Sequence, residues 1–433
     1  YYNGSKLPFA AAQMGQSFRN EISPKQGILR VREFTQAEIE YFMNPEDKNH
    51  YKFAQVADLK ILLFSRDVQV SAVKRPVLTR LGDAVRDGMV SNETVGYFIG
   101  RTYLFMVAVG INPERMRFRQ HLQHEMAHYA EDCWDCEVEC SYGWVECVGI
   151  ADRSAYDLKA HEKASKRDLS AYIKYDEPIT VNELVVEPNK KVLGQKFKKD
   201  AKVINNALLS LDEASALDLK AQLESTGEVS LKAYCNGQDF VISKDMVTIK
   251  QEEKKVNGRN ITPSVVEPAF GIGRILYCML EHAYYVREDD EERKVVFKFT
   301  PLVAPTKCTV FPLLQREEFN DACKTIYDAL VNVGLSTIID VTGTSIGKRY
   351  ARTDEIGVPF AVTVDHATLE DNTVTLRDRD TCSQLRVDMD ELPVVLRKLV
   401  DMDITWEEVQ AKYPAQGQET AGDVVIECSL RCP

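Results

Sequence analysis

Phe18-Arg19-Asn20-Glu21, followed after a loop by Arg30-Val31-Arg32-Glu33-Phe34, is the stretch that decides the fold of this chain. The pattern predicts two strands joined by a loop. Side chains two residues apart share a strand face, so we expect Arg19 beside Glu21. An arginine fork binds phosphate, a carboxylate accepts a hydrogen bond from an adenine amino group, and an aromatic ring stacks on the base. The stretch therefore predicts a site for ATP.

A second stretch, Glu267-Pro268-Ala269-Phe270-Gly271-Ile272-Gly273-Arg274, precedes a helix-like segment from Ile275 to Tyr284. Its glycines allow the backbone to approach a ligand or a partner helix closely, and Arg274 would project from the first helical turn. Taken alone, the Gly-x-Gly pattern is explained equally well by helix packing. It also lacks the spacing of a dinucleotide fingerprint or a P-loop.

The order of the two stretches resembles signature motifs two and three of the class II aminoacyl-tRNA synthetases. These motifs read Arg-x-Glu, then Arg-x-x-x-Phe, then Gly-x-Gly-x-Arg. Further stretches are similar to the glycyl-tRNA synthetases of eukaryotic type, namely Leu7–Gln13, Thr35–Glu40, Met126–Ala130, Tyr142–Glu146 and Ala151–Ser154. Ser345–Gly357 is similar to the anticodon-binding domain of that family. The resemblance covers nearly the whole chain.

The resemblance implies an ATP site built from both stretches. Arg19 would hold the α-phosphate and Glu21 the adenine amino group, while Arg274 and an aromatic ring would enclose the base. Arg19 and Arg274 would be the catalytic residues. The ATP-binding residues that the resemblance implies are Arg19, Asn20, Glu21, Arg30, Val31, Phe34, Glu146, Cys147 and Arg274.

The resemblance also implies a magnesium position and a glycine pocket. Glu146 would bind Mg²⁺, because carboxylate oxygens suit a hard cation, and Cys147 would contribute only its backbone. Glu38 and Glu267 would receive the glycine ammonium group. The glycine-binding residues implied are Glu38, Glu267, Pro268 and Ala269. The family usually has serine where this chain has Ala269, so a hydroxyl contact to glycine would be lost or replaced.

The order of helix-like and strand-like segments along the sequence predicts two domains, and the fold class predicted for the chain is α/β and α+β. Residues 1–302 would form an antiparallel-sheet catalytic domain of class II type, with an inserted helical and mixed module at about 154–262. A lysine-rich run there, from Lys190 to Lys202, is best read as a solvated surface. Residues 303–413 would form an α/β anticodon-binding domain with a mixed sheet, and residues 414–433 a loose tail.

Alternating strand and helix signals support the second domain. We expect strands at 308–314, 335–341, 359–364 and 373–377, a helix at about 319–333 that ends at Gly334, a helix through Tyr350 and a last helix from Asp390. The first helix carries an apolar stripe at helical spacing, and glycine favours the left-handed conformation that ends helices.

Composition sets outer limits on function. The 433 residues carry a net charge of -12, so contact with nucleic acid must rest on local basic patches. No run of about 18 apolar residues occurs, so we expect no transmembrane helix and no membrane partner. The eleven cysteines are odd in number and scattered, which favours a reducing compartment, the cytoplasm. The family resemblance leaves a mitochondrial form open.

The first signature motif of class II enzymes and the Arg-Pro-Glu-Thr segment expected before Leu7 are absent from this sequence, which starts without Met. We therefore expect an upstream segment that carries part of the amino-acid pocket. That segment would also carry the contacts of the homodimer that the resemblance implies.

A zinc site is an alternative interpretation of His124, His128, Cys133 and Cys136, which have ligand-like spacing. The spacing favours ordinary helix and loop residues, because no second pair completes a zinc ribbon.

The function predicted is ligation of glycine to its tRNA, with glycine, ATP, Mg²⁺ and tRNA(Gly) as partners. Two alternatives stay open: a non-catalytic nucleic-acid-binding paralogue with the same fold, or a class II synthetase for another amino acid. Arg19, Glu21, Glu146 and Arg274 argue against the first, and the acidic pair Glu38 and Glu267 favours glycine.

Overall fold

The computed structural model describes residues 3–4, 6–24, 27–232, 239–287 and 295–415. The chain divides into two compact units. One consists of Tyr1–Leu7 and Leu169–Thr262, and the other of Pro8–Asp168 and Pro263–Pro433. None of the helices in the described ranges combines the length and apolar character that crossing a bilayer requires.

The described residues form nineteen strands and thirteen α-helices. The strands are β1 (Phe9–Phe18), β2 (Glu33–Met43), β3 (Lys60–Phe64), β4 (Val77–Arg80), β5 (Met116–Gln120), β6 (Asp132–Cys140), β7 (Gly143–Ser154), β8 (Ala171–Pro188), β9 (Glu228–Lys232), β10 (Asp239–Ser243), β11 (Val247–Ile261), β12 (Ser264–Gly271), β13 (Tyr284–Val286), β14 (Val295–Phe297), β15 (Cys308–Pro312), β16 (Thr337–Ile339), β17 (Phe360–Val364), β18 (Thr373–Asp378) and β19 (Gln384–Asp388). The helices are α1 (Arg66–Val70), α2 (Leu81–Arg86), α3 (Glu93–Ala108), α4 (Tyr156–Ser165), α5 (Lys190–Phe197), α6 (Ala201–Leu209), α7 (Glu213–Thr226), α8 (Ile272–Ala283), α9 (Glu317–Asn332), α10 (Ile346–Glu355), α11 (His366–Asp371), α12 (Leu392–Val400) and α13 (Trp406–Lys412).

An eight-stranded sheet dominates the first part of the larger unit, in the order β1-β2-β12-β7-β6-β5-β3-β4 within the described residues. All neighbouring strands are antiparallel except β3 and β5, which run parallel. Helices α3 and α8 pack on one face of this sheet. The core between them includes the fully buried Ile99, Phe118 and Trp134. A helix pair on one face of an antiparallel sheet leaves the other face free for ligands.

Strand alternation decides which side chains reach that other face. On β6, Trp134 and Cys136 enter the core, so Cys133 and Asp135 point to the opposite side. We call this opposite side the site face. It also carries Glu38 on β2, which alternates with the core residues Ile39 and Tyr41.

A five-stranded mixed sheet follows in the order β16-β15-β17-β18-β19. The first three strands are parallel, and β18 and β19 are antiparallel additions. Its core includes Phe319, Val362 and Leu396. The predicted class, an α/β domain with a mixed sheet, is confirmed. Helices α11 and α13 and strand β19 are additional to the predicted elements, and the helix expected from Asp390 begins at Leu392.

The smaller unit is built on the long antiparallel pair β8 and β11, which is interrupted by a bulge between Val256 and Gly258. Helices α5, α6 and α7 and the hairpin β9–β10 form a separate apolar core around Leu193, Ile204 and Leu223.

Most of the predicted tail, from residue 416 onward, lies outside the described residues. Pro414 accepts a hydrogen bond from the Arg386 amide at 3.0 Å.

Candidate active site

The connection between β1 and β2 holds most of the residues expected to bind nucleotide. The sequence predicts Arg19, Glu21 and Arg30 on strands, and this is wrong, because β1 ends at Phe18 and β2 begins at Glu33. The Arg19 amide donates to the Arg32 carbonyl at 2.9 Å, and the Glu21 amide donates to the Arg19 carbonyl at 2.9 Å. The second hydrogen bond forms within the connection and not between β1 and β2. Arg19 and Glu21 therefore lie on a loop.

Within that connection, exposure differs between the predicted residues. The Arg32 guanidinium donates to the Glu21 carbonyl at 2.8 Å and so fixes the loop. Asn20 and Arg30 are exposed, whereas Val31 is half-buried. Phe34 lies on β2 as predicted, paired with Ser17 across the hairpin.

Arg19 and Arg274, 255 residues apart in the numbering of the chain, converge on Glu146. The Arg274 guanidinium donates to the Glu146 carbonyl and to the Leu29 carbonyl, both at 2.8 Å, and lies 3.8 Å from the Glu146 carboxylate. The Arg19 guanidinium lies over the Phe34 ring, 5.7 Å from its centre. The structure therefore brings the two arginines, the aromatic ring and the carboxylate into one region of the site face.

The protonation of Glu146 reflects these neighbours. Desolvation by the surrounding protein and the Asp135 carboxylate raise the pKa of Glu146, while the Arg274 and Arg19 guanidinium groups act in the opposite direction. A bound cation would favour the ionised form further. Cys147, next in sequence, is 2% exposed and its thiol lies 3.6 Å from the Cys278 sulfur in the core. Only the backbone of Cys147 can therefore face a ligand.

The floor of the site face is made of small residues flanked by carboxylates. Across the strands, Ala269 pairs with Glu38 on one side and with Gly149 on the other, and Gly149 pairs in turn with Asp135. Paired residues lie on the same face of a sheet. The methyl group of Ala269 and the bare Gly149 backbone thus leave space between two acidic side chains. Pro268, the remaining predicted residue, is buried and pairs with the core residue Ile150, so its ring lies on the opposite face from Ala269.

Four carboxylates, those of Glu38, Glu40, Asp157 and Glu267, gather with one arginine at this end of the site face. The Arg153 guanidinium lies 3.1 Å from the Glu267 carboxylate and 2.7 Å from that of Asp157. Burial, the largest influence, and the Glu38 carboxylate raise the pKa of Glu267, while the Arg153 guanidinium acts in the opposite direction. Burial first, and then the Glu267 carboxylate, raise the pKa of Glu40 to about 7. The arrangement is short of positive charge and suits a small cationic group.

The sequence predicts Glu38 and Glu267 as members of this cluster, but it does not predict Glu40 and Arg153. Glu40 follows Glu38 by two residues and so shares its strand face, a signal that could have revealed it. Arg153 had no such signal, because its partner Glu267 is 114 residues away in the numbering.

We expect Glu40→Gln to stabilise the protein at pH 8 and to have little effect near pH 4.5. The pKa of Glu40 is about 7 in the folded protein and 4.5 as the ordinary value, so the folded state keeps a proton that the unfolded state loses. Stability is therefore lost as pH rises from 4.5 to 7, and the amide avoids that loss. After allowance for solvent screening, we expect a gain of about 1 kcal/mol at pH 8, measured by urea unfolding.

Glu33→Gln, at the exposed start of β2, is the matched control and should leave the unfolding midpoint unchanged at both pH values. An equal gain from Glu40→Gln at pH 8 and pH 4.5 would contradict the assignment, because it would show that the ionisation of Glu40 is not the cause.

The four residues of the zinc alternative are not arranged for one ion. Cys136 is fully buried in the core, while Cys133 points to the site face. The His128 imidazole hydrogen bonds the Tyr156 hydroxyl at 2.9 Å. Since two residues on opposite faces of a strand cannot reach the same metal, this set does not form a site.

Comparisons with known proteins give two family models and a set of relatives. The model described as "tRNA synthetase class II core domain (G, H, P, S and T)" matches residues 2–283. The model described as "Anticodon binding domain" matches residues 307–399. The chain is 48% identical to a glycine–tRNA ligase of Bombyx mori, over 97% of this chain and 57% of that protein.

Two further relatives come from distant organisms. The chain is 44% identical to a glycine–tRNA ligase of Methanocaldococcus jannaschii, over 91% of this chain and 68% of that protein. It is also 44% identical to the protein named glycine–tRNA ligase 1, mitochondrial, of Saccharomyces cerevisiae, over 94% of this chain and 59% of that protein. The chain thus spans 57 to 68% of the length of these three relatives.

Proposed function

Because the chain belongs to the glycine–tRNA ligase family of class II aminoacyl-tRNA synthetases, we propose that its protein activates glycine with ATP and transfers the glycyl group to tRNA(Gly). In the first step the glycine carboxylate attacks the α-phosphorus in line, forming glycyl-adenylate and releasing pyrophosphate. In the second step the terminal ribose hydroxyl of the tRNA attacks the adenylate carbonyl carbon, and AMP leaves.

The observation that carries this proposal is the pairing of two charge environments on one sheet face. Arg19 and Arg274 supply positive charge around Glu146, whereas Glu38, Glu40 and Glu267 supply negative charge beyond the small floor of Ala269 and Gly149. A nucleoside triphosphate suits the first environment and an ammonium group suits the second. The reaction needs both substrates side by side, because proximity of the reacting groups supplies much of the rate gain.

On the ATP side, we assign Arg19 to the α-phosphate and Glu21 to the adenine amino group, with the base held between Phe34 and Arg274. Asn20, Arg30, Val31 and the Cys147 backbone line the nucleotide. Arg19 then offsets the charge that develops on the five-coordinate phosphorus. The loop position of Arg19 and Glu21 allows them to adjust when ATP binds.

Magnesium fits the carboxylate of Glu146, which is 56% exposed and points to the site face. The ion, when bound, neutralises charge on the phosphate oxygens. On the glycine side, Glu38 and Glu267 receive the ammonium group and Ala269 borders the amino acid, whereas the buried Pro268 faces the core. Arg153 holds the Glu267 carboxylate in position at 3.1 Å.

The sheet from β15 to β19 corresponds to the match with the anticodon-binding family, and we propose that it binds the anticodon of tRNA(Gly). We also propose that residues 1–302 act as the catalytic domain, with an insertion at about 154–262. The working protein would be a cytoplasmic homodimer.

Exchange of pyrophosphate into ATP, measured on the full-length protein with each amino acid in turn, tests this function. We expect exchange with glycine only. Glu267→Gln should raise the KM for glycine by about 10- to 100-fold, because the charge-assisted bond to the ammonium is lost. The KM for ATP should stay within about twofold, as should both constants of the exposed control Glu114→Gln.

Two outcomes would contradict the proposal. Exchange with no amino acid would favour a binding paralogue of the same fold. Exchange with another amino acid, and not with glycine, would assign the chain to a different member of class II.

A further inference from the structure

Three side chains with the donor types of a transition-metal site meet on the site face, outside the groups assigned to glycine and ATP. The ligand atoms of His121, Cys133 and Asp135 all lie within 4.8 Å of one another. The His121 Nε2 atom lies 2.7 Å from the Asp135 carboxylate. Imidazole nitrogen, thiolate sulfur and carboxylate oxygen are the ligands that Zn²⁺ takes in proteins. We propose that these three residues bind a divalent transition-metal ion of the Zn²⁺ type.

The backbone holds the three residues in place independently of any ion. Cys133 and Asp135 are two residues apart on β6, so their side chains leave the same face in parallel. The His121 amide donates to the Cys133 carbonyl at 2.9 Å, which seats the imidazole directly beside the thiol. Cys133 and Asp135 lie on a strand and His121 directly follows β5, and ligands on or beside strands are placed more rigidly than ligands on loops.

The spacing is close to what an ion needs. Tetrahedral coordination at Zn²⁺ bond lengths puts neighbouring ligand atoms about 3.4 Å apart. When an ion binds, the 2.7 Å distance between His121 Nε2 and the Asp135 carboxylate would have to lengthen slightly. Any two ligand atoms more than about 3.4 Å apart would have to move closer together. We expect rotation of the side chains to make these adjustments without movement of the strands. Three protein ligands leave a fourth position for water, as in zinc sites that are not purely structural.

Neighbouring groups orient the proposed ligands. The Arg119 guanidinium lies 3.9 Å from the Asp135 carboxylate and 2.6 Å from that of Glu125. The Glu125 carboxylate also accepts the Leu122 amide at 2.8 Å, which ties down the turn after His121. Outer groups of this kind normally fix the geometry of metal ligands. Only Cys133 is shared with the set that sequence spacing suggested, because strand pairing rather than spacing brings His121 and Asp135 to it.

Cobalt binding by the full-length protein tests the site, since Co²⁺ takes zinc positions and its thiolate bond gives a strong near-ultraviolet absorption band. After removal of metals with a chelator, we expect one Co²⁺ per chain, with this band, and its loss when Zn²⁺ is added. Cys133→Ser should abolish the band, and Asp135→Asn should weaken Co²⁺ binding by at least about tenfold. Circular dichroism would show whether each variant is folded. If Cys133→Ser does not fold, the near-isosteric Asp135→Asn still tests the site.

Cys278→Ser is the matched control, because Cys278 belongs to the buried thiol pair with Cys147 and should leave the band unchanged. Binding of much less than one Co²⁺ per chain would overturn the proposal and leave a His121–Asp135 ion pair. So would a band that survives Cys133→Ser but disappears in Cys278→Ser. These results do not depend on glycine activation, so they stand or fail separately from the proposed function.

Discussion

Replacement of Arg19 by alanine should lower the kcat of glycine-dependent pyrophosphate exchange by roughly 10²- to 10³-fold, the range found when a preorganised charge-stabilising group is removed. Arg19 lies over the Phe34 ring and contributes positive charge at Glu146. It is exposed, and its cation–π contact is worth only about 0.5–1 kcal/mol. The free energy of unfolding should therefore change little while the rate falls steeply.

Arg86→Ala is the control for this experiment. Arg86 is an exposed arginine on α2 that pairs with Asp83 and Asp87, and its loss should leave kcat unchanged. A normal kcat for Arg19→Ala, with only the KM for ATP raised, would show that Arg19 binds the ground state and does not act on the reacting phosphorus.

Replacement of Asp354 by asparagine should destabilise the protein by about 3–5 kcal/mol, because two buried guanidinium groups lose the carboxylate that they share. The Asp354 side chain is 2% exposed and lies between Arg287 at 2.8 Å and Arg377 at 3.0 Å. Arg377 approaches it with two parallel hydrogen bonds. Arg287 follows the hairpin strand β13, so the network ties that segment to the five-stranded sheet.

Urea unfolding measures this effect, and Asp401→Asn supplies the comparison. Asp401 pairs with Arg397 on the surface of α12, four residues away, where an ion pair contributes about 0.5 kcal/mol or less. The two variants remove the same charge from the same domain and differ in burial. Similar midpoints for both would mean that the Asp354 network is no stronger than a surface pair.

The fold class and the family could be predicted from the sequence, because they depend on residue types in a fixed order along the chain. Helix α9 is a clear case: its apolar stripe predicts a helix, and the structure has it at Glu317–Asn332. Gly334 beyond it has φ +79°, the left-handed conformation that glycine tolerates best.

Short helices and strands were harder to predict from the sequence. Helix α11 has six residues and depends on a capping box between Asp365 and Thr368, too short a segment to show helical periodicity. Strand β19 exists because it pairs with β18, from Leu376 opposite Leu385 outward. The loop position of Arg19 and Glu21 is likewise set by backbone hydrogen bonds that the side-chain pattern does not encode.

The sequence by itself determined which chemical groups the site contains, since arginine, glutamate and aromatic residues in the order of two signature motifs identify the family. Only the tertiary structure decided how those groups are combined. Arg153 meets Glu267, Glu40 joins the carboxylates, and His121 meets Asp135, because strand pairing places residues from distant segments side by side. Periodicity reports the face on which a side chain lies, but the neighbour across the sheet depends on strand order and register.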